Sequence, residues 1–349
     1  TAILSFAPAH AQSSAQGLSF DTVALRADLA FLERRLLSSH PAPFMYGDRE
    51  ALVQCFDSLR TSIQGPMSGL RFLAHISSLY PMLGDGHTMF LPADDPGPKR
   101  YLPLDVACIG ERLFVRRNGS ADRRIAPGME IRSINGVPAT AVLDTLLMRQ
   151  VRDGRNSTYP RWILNQWFRP YFRFSFGQPE HFDLLLHGPQ GELRITVDAL
   201  AADSIATNCE RNGQRAPNDP VFGLRYVKGD SVAILTIPSF EKESVTSAMI
   251  DAAFSELRDR QVQQLILDLR GNQGGEPKSA KRLLAHLLNA PFELVHKGPA
   301  SGRTKPRPDA FTGKLVVLMD GGCFSVTGMV RSCLVRHQRA TVIGEPAGG

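Results

Sequence analysis

Nowhere does this sequence hold the ~20 consecutive apolar residues that a membrane-spanning helix needs. Its five cysteines, Cys55, Cys108, Cys209, Cys323 and Cys333, never fall in C-x-x-C spacing. That argues against structural zinc and dithiol redox chemistry, and the odd number leaves at least one thiol unpaired. Cys323 and Cys333 are near in sequence, which by itself pairs nothing. Net charge is +6, yet lysines and arginines are scattered, and no basic stretch is interleaved with aromatics. A nucleic-acid partner is therefore not indicated. The densest basic piece, residues 297–307, is rich in glycine and proline and reads as a solvated loop before it reads as an anion site. No pattern calls for a metal or a cofactor.

What is present is a chain of 349 residues with ordinary globular composition, long enough for two or three domains. Residues 1–11 resemble the end of a secretory signal, an apolar piece followed by Ala9-His10-Ala11 as an A-x-A cleavage site. The expectation is an exported protein, periplasmic or secreted, whose mature form begins near Gln12. Residues 1–17 are then signal remnant and linker. Residues 18–97 read as a helical module, with apolar residues at helical spacing in 20–39 behind Asp21 as cap, in 50–63 and in 68–79. Pro41 and Pro43 end the first helix, and Pro81 is expected to stop the third. Then comes Leu83-Gly84-Asp85-Gly86-His87-Thr88, a glycine-rich turn that delivers a histidine.

Residues 98–200 turn β-like. Segment 128–138 holds a strand and the Asn135-Gly136 turn of a hairpin, and a short helix over 140–150 follows. The pattern looks like a PDZ-type module, which binds extended peptides by strand addition, although any small β-barrel with such a turn reads similarly. Asn118 and Asn156 open formal glycosylation motifs. Residues 162–176 are aromatic and arginine-rich and read as packing surface, 182–197 as a hairpin, and the polar stretch 201–220 as a loop. From Val221 strands alternate with helices, which implies a largely parallel sheet with its sites at the strand C-terminal ends.

Residues 314–349 organise the rest. An apolar strand, Leu315–Met319, meets Asp320-Gly321-Gly322, and Ser325 stands directly before a helical stretch, 326–336. Free amides and the helix dipole at that junction favour negative charge, which suits an oxyanion formed when Ser325 attacks a carbonyl. The plainer alternative is that Ser325 only caps the helix.

Four separated segments carry a resemblance: Leu83–Thr88 (LGDGHT), Gly128–Pro138, Leu265–Gly275 (LILDLRGNQGG) and Asp320–Gly349 with FSVTG and GEPAGG. Together they resemble the C-terminal (tail-specific) processing serine peptidases, in the tricorn-core-like branch with a histidine base. The resemblance covers nearly all of 20–349. It implies an α/β fold with a crotonase-like core over 218–349, joined to the helical and PDZ-like modules. It implies Ser325 as nucleophile and His87 as general base, within hydrogen-bond reach of each other, with the amides of Val326 and of Gly274 or Gly275 as oxyanion hole. Arg270 and Asn272 are read as bracing the loop. The expected activity is cleavage of peptides or unfolded protein tails through an acyl-enzyme.

Two departures stand out. Many members have Ser-x-x-Glu at the nucleophile, where this chain has Gly328. A lysine base, in the branch that uses one, would fall just after Gly349, and the acidic residue that orients the histidine would also lie downstream. Three rivals therefore stay open. One is a catalytically silent member that binds peptides or hydrophobic ligands. Another is a lysine-dyad peptidase. The third is an α/β-hydrolase, disfavoured because glycines flank Ser325 two residues away rather than one.

Overall fold

The computed structural model describes residues 2–4, 12–14, 17–91, 97–216, 218–227, 231–298 and 300–349, without the side chains of 2–4, 12–14, 17 and 18. The Ala9-His10-Ala11 stretch lies outside them. Among the described residues no helix is long and apolar enough to cross a membrane. The chain forms two compact units: 1–155 with 163–216, and 156–162 with 217–349.

In the first unit, helix Thr22–Ser39 buries Leu25, Leu29, Leu32 and Leu36, one stripe at helical spacing, and Asp21 caps it by accepting from Ala24 N–H at 2.8 Å. Helix Arg49–Ser62 follows, capped by Asp48, and then Gly69–Ile76. Pro81 does not stop the chain here. It lies in the first turn of the short helix Tyr80–Leu83, where the missing N–H costs nothing. Gly84 ends that helix in the left-handed region, with φ 57°.

The antiparallel sheet of this unit runs, in spatial order, Gly191–Asp198, His181–Gly188, Glu130–Ile134, Arg112–Asn118 and Leu104–Ile109, with Val137–Pro138 paired to Glu130–Ile134. Asn135 and Gly136 turn that last hairpin at φ 50° and 77°. Helix Ala139–Met148 covers the sheet with Val142, Leu143 and Leu146. The aromatic stretch is helical, Thr158–Phe176, kinked at Trp167 because Pro170 cannot continue the ladder below it. Phe168 and Phe172 join the sheet's core. The polar stretch read as a loop contains helix Ala202–Arg211. Its buried residues are Ile205 and Cys209, an i, i+4 pair too sparse to stand out in sequence. Asn118 is buried and donates to the carbonyls of Asp122 and Ile125, so its glycosylation motif is not displayed. All five cysteines are free thiols.

The second unit is a five-stranded sheet in the order Gly223–Val227, Val232–Thr236, Gln264–Asp268, Lys314–Met319, Thr341–Gly344. The first pair is antiparallel and every later pair parallel. Each parallel step crosses over through a helix: Ser247–Asp259, Pro277–Leu287 and Val326–Arg336. Leu235 faces Leu267, and Leu267 faces Val317, all fully buried, so the strands read as continuous apolar runs. Thr236 and Asp268 share one level of the sheet, which brings the loops after the parallel strands to one edge.

On the helical face Arg282 forks onto Asp251, whose other neighbour is the buried His286 at 2.7 Å, stacked on Phe254. The Arg282 hydrogen bonds hold the Asp251 carboxyl down at about 2. A carboxylate held below its unfolded value adds stability above pH ~4, and that contribution disappears as pH falls towards 2. Asp251→Asn is therefore expected to lower Tm at pH 7, with the gap to wild type closing between pH ~4 and ~2. Thermal unfolding across that range measures it, and a gap independent of pH contradicts it.

Candidate active site

Three loops meet at the C-terminal edge of the parallel sheet: 269–275, 320–325 and 344–349. The first is held by Asn272, which is fully buried. Its Nδ2 donates to Ile237 O at 2.9 Å. Its Oδ1 accepts from Gly274 N–H at 2.9 Å and from Thr327 Oγ1 at 2.7 Å. Its carbonyl accepts from Phe324 N–H at 3.1 Å. One side chain thus ties a strand end and the glycine turn to the helix that begins after Ser325. Arg270 pairs with Asp268 instead, and burial of that carboxyl, which alone would raise it, is outweighed by the Arg270 hydrogen bonds. Both residues brace the loop, as their sequence context led us to expect.

Ser325 stands at the N-cap position of helix Val326–Arg336, but its side chain makes no capping bond. Its backbone lies at φ 56°, ψ −122°, a region that side-chain-bearing residues avoid. Such a conformation costs on the order of 1–3 kcal/mol and persists only where its surroundings impose it. The simple capping reading therefore fails. Asp320 shapes the turn before it, accepting from Gly271 N–H and Gly322 N–H at 2.8 and 3.0 Å.

Gly274 touches this turn directly. A Cβ there would lie 2.9 Å from Ser325 Cβ and 3.0 Å from Val326 N, and the residue sits at φ 102°. Its own N–H is taken by Asn272. Among the described residues neither Gly275 N–H nor Val326 N–H meets an acceptor. Gly275 is pressed against the backbone of Phe240 and Glu241, where a Cβ would come within 2.5 Å of Phe240 C.

The segment 156–162, which the sequence reading left out of the site, forms its wall. Tyr159 stacks on Phe324 at 4.4 Å, and its hydroxyl lies 3.3 Å from Gln273 Oε1. Trp162 lies over Gly322 so closely that a Cβ there would come within 2.3 Å of the indole. The paired glycines 321 and 322 were the available signal, since such a pair marks a place where something packs on the backbone. Asn156, a formal glycosylation site, donates to Ala347 O at 2.9 Å. Gly328, where many of the peptidases carry glutamate, leaves no room for one: a Cβ would come 2.0 Å from Gly349 O. Cys323, two residues before Ser325, is buried and donates to Leu269 O at 3.0 Å. Burial pushes its thiol up to about 12, which removes it as a nucleophile.

His87 belongs to the first unit, in the loop between Gly84 and strand Thr88–Phe90. Its backbone N–H donates to Asp85 Oδ1 at 2.9 Å, and its Nδ1 lies 4.0 Å from the same oxygen. Asp85 Oδ2 receives Thr88 Oγ1 at 2.9 Å and His40 Nε2 at 2.6 Å. Burial pushes the Asp85 carboxyl up, but these hydrogen bonds outweigh it and leave it below its usual range. Asp153 accepts from Gly86 N–H at 2.8 Å, and side-chain atoms of Asp85, His87 and Asp153 lie within 4.8 Å of one another.

Ser325 thus stands, strained, between a parallel strand and a helix and beside the glycine pair 274–275. Residues 231–349 match the model of peptidase family S41, a serine-type peptidase family, which bears out the resemblance read from the sequence. The Carboxy-terminal processing protease CtpB of Bacillus subtilis (strain 168) is 25% identical over 138 residues, 38% of this chain and 28% of that protein. The chain thus matches under a third of the length of that curated relative. Mature CPAF has a similar fold, with a TM-score of 0.62 at 15% identity over 94% of this chain and 84% of that one. CPAF complexed with lactacystin gives 0.63 at 15% identity over 94% and 85%. At that identity the likeness is one of fold.

Two outcomes follow from this geometry. Gly274→Ala combines positive φ with close backbone contact and is expected to destabilise by about 2–4 kcal/mol. Gly213→Ala, at φ 73° with open space around it, should cost only about 1–2 kcal/mol. Urea unfolding followed by tryptophan fluorescence compares them, and equal costs contradict the close approach. Cys323 should stay unmodified by a thiol reagent in the native protein and react on unfolding, as mass spectrometry would show.

Proposed function

We propose that this chain is a serine peptidase in which Ser325 is the nucleophile, His87 the general base, and the amides of Gly275 and Val326 the oxyanion hole. The single observation that carries the reading is the backbone of Ser325, strained, uncapped and set against Gly274. The family match over 231–349 supports it. Gly274 N–H is committed to Asn272, which leaves Gly275 beside Val326 as the donor pair.

Chemically, Ser325 Oγ bonds to the carbonyl carbon as the π electrons move onto oxygen, and its proton passes to His87. Two preorganised amides hold the oxyanion at no reorganisation cost. Collapse breaks the C–N bond, and the leaving amine takes the proton from His87. Water, deprotonated by the same imidazole, then hydrolyses the acyl-serine. We place these steps on a crotonase-like core, with 98–200 as a PDZ-like module that captures extended peptide tails. The expected setting is outside the cytoplasm, in the periplasm or secreted.

The test uses an unfolded protein substrate and a fluorophosphonate probe. Ser325→Ala should abolish probe labelling, and Ser325→Ala and His87→Ala should each lower kcat by about a thousandfold or more. The double variant should be little worse than either, because groups that act as one unit are not additive. Unlabelled wild type would instead identify a silent, peptide-binding member, and activity surviving in His87→Ala would give the base role to another residue.

A further inference from the structure

The basic stretch 297–307, by sequence a solvated loop before an anion site, has no part in the chemistry above. In the structure it is pinned. Arg303–Thr304 pair antiparallel with Phe292–Glu293, Arg307 N–H donates to Ala285 O at 2.8 Å, and Lys281 Nζ donates to Ala300 O. Held in this way, it closes one side of a cavity of about 760 Å³ whose other walls are helices Ser247–Asp259 and Pro277–Leu287, all within the α/β unit. We propose that this cavity is an exosite for an acidic stretch of the substrate chain, so that peptides with clustered aspartate or glutamate flanking the cleaved bond are preferred. The inference rests on the peptidase reading and names the substrate class within it.

Five cations line the cavity: Lys278, Lys281 and Arg282 from one helix, and Lys305 and Arg307 from the basic stretch. Two carboxylates, Asp251 and Glu276, oppose them, a formal excess of three positive charges. Asp251 does not quench the lysines, because both of its oxygens take Arg282 and Oδ1 also meets His286. Asp309, outside the lining, is shared between Arg307 at 2.9 Å and Arg258 at 2.7 Å, so that trio keeps one positive charge. Among the described residues Lys278 and Lys305 meet no carboxylate at ion-pair distance, and both are exposed. A single fixed carboxylate is best held by an arginine fork, and both arginines here already have theirs filled. Several lysines on flexible stems suit a run of carboxylates on a mobile chain. The volume lies within the ~300–1,000 Å³ range of ligand sites, enough for a few side chains.

Position ties the cavity to the reaction. Glu276, on its rim, directly follows Gly275, the amide assigned to the oxyanion. Glu276 N–H donates to Phe240 O at 3.0 Å, and Phe240 N–H to Gly274 O at 2.8 Å, so rim and glycine turn are one hydrogen-bonded piece. Both lining helices begin beyond the ends of strands Val232–Thr236 and Gln264–Asp268, and Ser247, Asp251, Lys278 and Arg282 fall in their first two turns. The cavity therefore flanks the same edge of the sheet that carries Ser325.

The experiment compares two internally quenched peptides built on one cleaved site of an unfolded protein, flanked by four glutamates or by four glutamines. Wild type is expected to show a kcat/KM about tenfold or more higher for the glutamate peptide at ~0.05 M salt, with the gap narrowing at ~0.5 M. Lys278→Glu with Lys305→Glu should erase that preference, and Arg34→Glu, an exposed charge in the other unit, should keep it. Should the double reversal not fold, Lys278→Gln with Lys305→Gln takes its place, with the same loss expected. Binding is measured separately: Ser325→Ala should bind a fluorescent octaglutamate, and adding the lysine changes should weaken it about tenfold or more. An unchanged preference in the lysine variants, or no binding of octaglutamate, overturns the proposal. So does a rise in Tm with inorganic tripolyphosphate but not with octaglutamate, which would make the cavity a phosphate site. Wild type that neither takes the fluorophosphonate nor cleaves either peptide strikes the peptidase reading instead. Lysine-dependent octaglutamate binding would then still place an acidic chain in the cavity.

Discussion

One carboxamide holds the loop-bearing edge of the α/β unit together. Asn272 has no exposed surface, and both of its polar atoms are bonded. Its partners belong to the end of strand Val232–Thr236, to the glycine turn, and to the first turn of the helix after Ser325. A buried amide left unpaired would cost several kcal/mol, so these bonds are obligatory and tie the three segments to one another. Ser325 can stay in a conformation that a free chain would leave at once because Gly274 and Phe324 are fixed on either side of it through this residue. The strain of the serine and the satisfaction of the asparagine are two halves of the same arrangement.

The α/β unit was largely legible in the sequence because its logic is local. Apolar runs such as 264–269 and 315–319 can only be buried strands between helices, and glycine-rich loops after them mark the functional edge. Val326–Arg336 begins and ends where its periodicity says. The peptidase resemblance rests on these same segments. The wall of the site was not legible. Tyr159 and Trp162 sit in a stretch whose aromatic pattern looks like any packed helix, and what they touch is set by tertiary contact with residues far along the chain. Helix Ala202–Arg211 was missed for a related reason: two apolar residues on a polar background leave no period to read.

The loop that carries His87 is an intermediate case. D-G-H places Asp85 two residues before His87, a spacing that lets the carboxylate meet the backbone N–H of the histidine, so that partner was visible in principle. His40 was not. It stands just past the C-terminus of the first helix, where it serves as the cap residue, and a histidine there ordinarily faces water. Only burial, with Ala42 supplying the donor that sets its tautomer, turns it into a strut.

The second unit is discontinuous in the chain: its Ser325 turn leans on 156–162, while everything else in it begins at 217. During synthesis the Tyr159–Trp162 segment leaves the ribosome long before Gly322 and Phe324, the residues it must pack against, have been made. Closing that contact spans more than 150 residues of chain, a high contact order that slows its formation. The sheet can assemble from its own sequential crossovers, so the last native contacts to form are those around the serine. The turn at Ser325 would therefore settle only after the strands on either side of it, Lys314–Met319 and Thr341–Gly344, have paired.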